Sequence, residues 1–412
     1  MSLIKNSIYN IVGFAIPTII AIPALGLLAR QLGLENFGLF TLAFAVIGYA
    51  SIFDGGVTRA VIREISIFRD NVVEQNKIIS TASNIVVVLG AVAGFLLYIF
   101  SSELINLLKV SIGNVDDVIY AFKLMAFIIP VYLLNQIWLA FLEGHELFVN
   151  INIQRTISSS ILAILPPIFC YFEPTLSNAI LGLVIGRIFS FIITLILCRK
   201  IIIDSGFIFY SETFKRLMAF GGWITISNII SPIMVYFDRF VISNIMGASK
   251  IALYTAPAEG VSRLGNIPFA LARALFPKLS YCTDEVERAK LEKQSYLIIS
   301  IVCLPLVIIG IIFSKFIMVT WMGEEYAEIP STVLQILLVG FFFNALAQIP
   351  FSLLQSKGKA KTTALVHLIE ISPYLMLLFY MTHQFGIIGT AIAWSARMFV
   401  DLLVLFVISR TK

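Results

Sequence analysis

The chain has 412 residues, of which 59% are hydrophobic and only 13% charged, with a mean hydropathy of +0.95. That excludes a soluble globular protein, because a chain of this size cannot hide so much apolar surface from water. The net charge is a modest +5, spread through short segments, which gives no sign of nucleic-acid binding.

Taken in chain order, the residues predict twelve membrane spans. They lie at roughly 8–29, 38–58, 78–100, 118–142, 157–172, 176–198, 217–244, 251–276, 294–320, 329–354, 363–382 and 386–408. The first is too long for a signal-peptide core and lacks a clear small-residue cleavage site, so it reads as a retained helix. Continuous apolar runs point to helices rather than to the alternating strands of a barrel. Lipid-exposed helices satisfy their own backbone hydrogen bonds. The prolines inside these runs, such as Pro17, Pro23, Pro166 and Pro167, are tolerated in a membrane bundle.

The basic residues set the expected orientation. One side carries Arg59, Arg63, Arg69 and Lys77, then Lys278, Arg288, Lys290 and Lys293. The other side holds Arg30, Lys109 and Lys250 together with acids such as Asp116 and Asp117. The positive-inside rule then places both termini in the cytoplasm.

A displacement of 214 residues brings Gly33 onto Gly247, Leu39-Phe40-Thr41 onto Leu253-Tyr254-Thr255, Arg59-Ala60 onto Arg273-Ala274 and Gly144 onto Gly358. Six spans per half, entering from the same side, make a parallel repeat about an axis along the membrane normal. The basic stretch from Arg199 to Arg216 joins the halves, and the expected domains are residues 1–205 and 206–412. The predicted fold class is therefore an all-α integral membrane protein of two pseudo-symmetric six-helix bundles around a central cavity.

Charged residues inside the spans are costly and are therefore the candidates for function. Arg59 and Arg273 match under the repeat and lie near the cytoplasmic ends of spans two and eight. They suit a shared anion or, more simply, anchor the helices to the headgroups. Span eight carries Glu259, Arg263, Asn266, Ala270 and Arg273 on one face, so Arg263 is expected to look into a cavity or to pair with Glu259 four residues back. Asp238 and Arg239 are adjacent on span seven and point about 100° apart, so each needs its own partner. Asp238 and Glu259 are the candidates for ion coupling. Arg187 and Arg397 occupy matching places in spans six and twelve and suit cavity lining, with Asp401 a possible partner for Arg397. Lys123 fits a snorkelling residue, and Glu370 is either an arginine's partner or a titrating site.

Other chemistries find little support. His145, His367 and His383 make no metal-ligand spacing, and no phosphate-binding GxxxxGK[ST] loop is present. No metal or other cofactor is expected, and transport would run on an ion gradient or on consumption of the product. Cys170, Cys198, Cys282 and Cys303 form no CxxC pair and read as packing residues. Trp138, Trp223, Trp321 and Trp394 suit packing or interfacial anchoring, with sugar stacking as the alternative.

Several segments carry a family resemblance. Leu28-Ala29-Arg30-Gln31-Leu32-Gly33 followed by Phe37-Gly38-Leu39-Phe40, and then Asp54-Gly55-Gly56 with Arg59 and Arg63, resemble the start of polysaccharide exporters of the multidrug/oligosaccharidyl-lipid/polysaccharide superfamily. Tyr236-Phe237-Asp238-Arg239, Gly247, Tyr254, Leu275-Phe276-Pro277-Lys278-Leu279-Ser280 and Gly386-Ile387-Ile388-Gly389-Thr390-Ala391 with Arg397 resemble the second half of O-antigen flippases. The resemblance implies a MATE-like fold in a bacterial inner membrane. It also implies a substrate, an undecaprenyl-pyrophosphate-linked oligosaccharide, moved from the cytoplasmic to the periplasmic leaflet. A polysaccharide polymerase and a chain-length regulator would be its partners, alongside membrane lipid. A cation-coupled drug exporter of the same superfamily is the alternative. A membrane polymerase or acyltransferase is a weaker one, since the outer loops are short and the histidines scattered.

Overall fold

A computed structural model describes residues 3–111, 115–269, 272, 284–356 and 359–410, with side chains described outside 3–15, 47–52, 220, 222–233, 360 and 361. The regular elements among them are all helical, and eight helices are long and apolar enough to cross a membrane. Within Met1–Phe237 and Asp238–Lys412 the chain forms two compact units.

In the first unit α1 runs over Leu3–Ala50 and is broken at Gly33, whose φ of 68° and ψ of 179° end one helix and start the next. The predicted second span continues to residue 58, but the helix stops at Ala50. A short 3-10 turn, Ser51–Asp54, and two glycines with positive φ, Gly55 and Gly56, intervene. A separate helix α2, Val57–Ile67, follows. The reason is local: Asp54 Oδ1 accepts from the Thr58 amide at 3.1 Å and from its hydroxyl at 2.9 Å, so the turn caps a new helix. Helices α3 (Val72–Ile99), α4 (Ser101–Leu108), α5 (Val115–Gly144), α6 (Phe148–Phe172) and α7 (Leu176–Ser205) follow, and α8 (Ser211–Met246) runs on into the second unit.

Apolar residues of α2, including Val57, Val61 and Ile65, sit in one core with Ile78, Ile79 and Val86 of α3 and Ile129, Leu133 and Ile137 of α5. Its polar face is tied down by ions. Glu64, buried in α2, lies 2.9 Å from Arg63 and 3.2 Å from Arg216 of α8, and Arg216 also reaches Glu74 at 2.9 Å. Arg69 and Ser66 donate to the carbonyl of Gly144 at 3.0 and 3.1 Å. Gly56 meets the backbone of Gly221 so closely that a Cβ has no room.

The second unit begins within α8. Gly247, with φ 91° and ψ 159°, leads through a 3-10 turn into α9 (Ile251–Leu264). Helix α9 closes at Gly265, and residues 266–269 and 272, still within the predicted eighth span to 276, are helical again. Helices α10 (Glu285–Ile312), α11 (Ser314–Met322), α12 (Ile329–Ser356) and α13 (Ala360–Arg410) follow. The predicted ninth span divides at Phe313, between α10 and α11. Helix α13 is broken at Gly386, φ 59° and ψ −138°, where the last two predicted spans meet. Thr382 and Thr390 hydrogen-bond across that break at 2.9 Å.

The backbone carries the internal repeat. Gly33 and Gly247 share an extended, positive-φ conformation. Helix α5 starts at Val115 and α12 at Ile329, which is the same 214-residue displacement. In each half a long helix stops at a phenylalanine, Phe100 or Phe313, with ψ 14° in both. A short helix opening on a buried serine follows and ends at a positive-φ residue, Lys109 or Gly323. Gly358 and Arg273, two predicted members of the repeat, lie outside the described residues, as does Cys282. Cys170, Cys198 and Cys303 are buried free thiols, as expected of packing residues.

Gly56→Ala is expected to destabilise the first unit, because a methyl group there overpacks against the Gly221 backbone and strains a positive φ. The expected loss is about 1–3 kcal/mol, read as a lower unfolding temperature of the detergent-solubilised protein.

Candidate functional site

Asp238 and Arg239, adjacent on α8, are each only 5% exposed. Asp238 accepts a hydrogen bond from the Tyr254 hydroxyl of α9 at 2.7 Å. Arg239 reaches Glu259, also on α9, at 2.7 Å. The adjacent acid and base thus take different partners, as their angular separation requires. Burying these charges is tolerable because each is met by a hydrogen-bonding group of suitable kind at short range.

This arrangement corrects one expectation. Glu259 does not pair with Arg263: it is taken by Arg239. Arg263, one turn further along α9, is partly exposed, and its guanidinium has no ion pair or hydrogen bond among the described residues. Asn266 is exposed, while Ala270 and Arg273 lie outside the described residues. The proposed facing of Arg59 and Arg273 therefore concerns a residue that is not described. Arg59 itself sits on α2 with 63% of its side chain exposed, 3.8 Å from Glu143 of α5. Arg155 shares the same carboxylate at 3.7 Å.

The repeat sharpens the meaning of the α8–α9 network. Displaced by 214, Asp238, Arg239, Tyr254 and Glu259 fall on Ala24, Leu25, Phe40 and Ala45. The first half is apolar at all four places. Tyr254 was named in the sequence as part of the repeat and of the resemblance, but not as the partner of Asp238; it and Phe40, its counterpart, occupy equally buried sites and differ by the hydroxyl that holds Asp238.

A second polar cluster spans the two halves of α13. His367 lies 3.6 Å from Asp401, and its ring stacks on Phe351 of α12. Arg397 lies over the ring of Tyr374 at 5.1 Å. Glu370 lies near Asp401 and Arg397. In the first unit Arg187 of α7 lies over Tyr132 of α5 at 4.8 Å, and its Nε has no hydrogen-bond partner. Lys123 lies over Tyr98 at 5.2 Å. Tyr132, too, was invisible in the sequence, because nothing local says which ring an arginine will meet.

The described residues hold no group of three or more His, Cys, Asp and Glu side chains placed to bind a metal ion. The chemistry on offer is electrostatic: guanidinium groups inside an apolar bundle, some neutralised by carboxylates and some not.

Comparison with known proteins adds three findings. The profile of a family described as polysaccharide biosynthesis protein matches residues 3–283. A Shigella flexneri protein, named as a candidate O-antigen transporter, is 51% identical over 405 residues, covering 98% of this chain and 97% of its own length. Among solved structures, an inward-facing multidrug resistance MATE family transporter of the MOP superfamily aligns with a TM-score of 0.80 at 17% identity, covering 97% of both chains. The lipid II flippase MurJ, in an inward closed conformation, aligns with a TM-score of 0.80 at 18% identity, covering 99% of this chain and 88% of its own. These likenesses establish the fold.

The buried and exposed ion pairs are expected to respond differently to loss of one partner. Glu259→Gln removes the carboxylate that buried Arg239 meets at 2.7 Å and is expected to cost about 3–5 kcal/mol. Glu143→Gln, in an open pair, is expected to cost less than about 1 kcal/mol. Thermal unfolding of the two variants side by side checks the contrast.

Proposed function

Because this chain belongs to the polysaccharide biosynthesis protein family, we propose that it is a flippase for a lipid-linked oligosaccharide, the repeat unit of O-antigen or a similar surface polysaccharide. On this reading it moves an undecaprenyl-pyrophosphate-linked unit from the cytoplasmic to the periplasmic leaflet of the inner membrane by alternating access. The observation that carries the reading is the near full-length identity to a protein named for O-antigen transport. The proposed frame is twelve crossings with both termini in the cytoplasm, α1 and α13 each supplying two crossings at their glycine breaks, in two bundles of residues 1–205 and 206–412. The exported unit then passes to a polymerase and its chain-length regulator.

The physical task is to carry a pyrophosphate and a polar sugar past hydrocarbon, where burying bare charge is prohibitive. Guanidinium groups suit it, since they stay charged and present paired donors to phosphate oxygens. Arg263, Arg273, Arg59, Arg187 and Arg397 are the proposed substrate-facing cations. Of these, Arg263 has the clearest claim in the second unit: it follows the locked Arg239–Glu259 pair by one turn and is itself unpaired among the described residues. Asp238 and Glu259 are the proposed ion-coupling residues, and their present partners show what would have to be exchanged: Tyr254 for the one and Arg239 for the other.

Deleting the gene is expected to strand lipid-linked repeat units in the cytoplasmic leaflet and to remove surface polysaccharide. Restoring the gene with Arg263→Ala is expected to return normal amounts of inserted protein with export reduced roughly tenfold, the scale of one charge-assisted hydrogen bond. Undiminished surface polysaccharide in the deletion strain would reject the proposal. If drug susceptibility alone changed, a small-molecule exporter would be the better reading.

A further inference from the structure

The connection between the two proposed bundles is basic at its ends and apolar at its centre. Phe207, Ile208 and Phe209 follow one another there, each more than half exposed. In an aqueous loop three such side chains in a row would forfeit the free energy of leaving water. The chain that carries them is not slack. Ser80 of α3 donates its hydroxyl to the Ile208 carbonyl at 2.7 Å and accepts from the Ile208 amide. Thr81 Oγ1 accepts from the Tyr210 amide at 3.2 Å. Beyond them, Arg216 is held by Glu64 and Glu74, and Leu217 is fully buried in the core shared with α2, α3 and α5. The backbone of this strap is thus fixed to the first unit, while three apolar side chains are left uncovered.

Two helices give the depth of the strap. Ser80 and Thr81 are the third and fourth residues of the predicted third span, 78–100, and both are fully buried. On α7 the predicted sixth span ends at Cys198, and the exposed pair Arg199-Lys200 marks the edge of the hydrocarbon. The helix runs on to Ser205, and Gly206 turns the chain with a φ of 59°. The hydrogen bonds to Ser80 and Thr81 then bring the chain back to the level at which α3 enters the apolar layer. Irregular backbone at that depth needs partners from protein. The two hydroxyls supply them for both polar groups of Ile208 and for the amide of Tyr210. In water the same groups would be solvated without them. The exposed cations Arg199, Lys200 and Lys215 flank the strap, against the exposed acids Asp204 and Glu212, a balance that suits phosphate headgroups.

We propose that Phe207, Ile208 and Phe209 are an interfacial anchor that sits among the acyl chains of a lipid leaflet, with Arg199, Lys200 and Lys215 at its phosphate groups. The occupant of this apolar face is lipid; a soluble protein partner is the outcome that the test separates from it. The strap joins the proposed bundles, so the joint between them is fastened both to the first unit and to the membrane surface. The anchor does not depend on what the protein carries, and the proposed topology supplies only the name of the leaflet, the cytoplasmic one.

A full-length variant with its four cysteines replaced would receive a single new one, by Phe207→Cys, Phe209→Cys or Glu212→Cys, to carry a nitroxide label in bilayers of phosphatidylethanolamine and phosphatidylglycerol. Electron paramagnetic resonance then compares collisions with oxygen, which concentrates among acyl chains, and with a water-soluble nickel chelate. Labels at residues 207 and 209 are expected to favour oxygen, and the label at residue 212 to favour nickel. A preference for nickel at both 207 and 209 would overturn the proposal and make a soluble partner the better reading of the patch. Hydrogen exchange of the unlabelled protein in the same bilayers supplies a second measurement. The amides of Ile208 and Tyr210 are expected to exchange slowly, and Ser80→Ala with Thr81→Val to speed them roughly tenfold, the scale of one hydrogen bond. Exchange of these wild-type amides at the rate of an open chain would equally overturn it.

Discussion

Charge inside an apolar bundle must find a counter-charge or a hydrogen-bonding partner, and this constraint organises the molecule. Lipid and packed side chains offer no solvation, so every ionisable group away from a helix end records a decision about its partner. Arg239 is met by Glu259, and Asp238 by Tyr254. Arg397 lies over the ring of Tyr374. Nearer the helix ends, Glu64 collects Arg63 and Arg216, and Glu292 receives Arg410 at 2.7 Å. Arg187 and Arg263 stand out against that background because the described bundle supplies neither with a carboxylate.

The two halves share a backbone plan but not an electrostatic one. A positive-φ glycine and a helix start recur at a displacement of 214 residues, and a phenylalanine stop at 213. The buried ionic network of α8 and α9 has apolar residues at all four equivalent places in the first half. The acids beside Arg397 likewise have no acidic counterpart around Arg187. The second half thus carries a buried polar network, Asp238 with Tyr254 and Arg239 with Glu259, that has no polar counterpart at the equivalent places of the first.

Much of the scaffold was legible in the sequence. The apolar runs of α3, α5, α7 and α12 were placed within several residues; Gly33 and Gly247 fall between predicted spans, and Gly386 opens the last one. Errors fell where a helix ends for reasons other than hydropathy. Residues 51–58 are apolar enough to continue a span, yet Asp54 capping Thr58 and two positive-φ glycines turn the chain into α2. A break at Phe313 leaves the hydropathy of its surroundings unchanged and was likewise missed. At the candidate site, the charged residues themselves were visible, but the roles of Tyr132 and Tyr254 as their partners were not, since an aromatic in an apolar run looks like any core residue.

Sequence alone determined the solvent, the helical class, the repeat and the inventory of intramembrane charges, because each of these depends on composition or on regularities along one dimension. Tertiary structure decided the pairings. Glu259 chose Arg239 across a helix hairpin over Arg263 on its own face, Arg59 went to Glu143, and only the packing of α5 against α7 laid Arg187 on Tyr132. The reason is geometric: electrostatic attraction in a low-dielectric interior is settled over a few ångströms, and which side chains come that close depends on how each helix is rotated and what lies beside it.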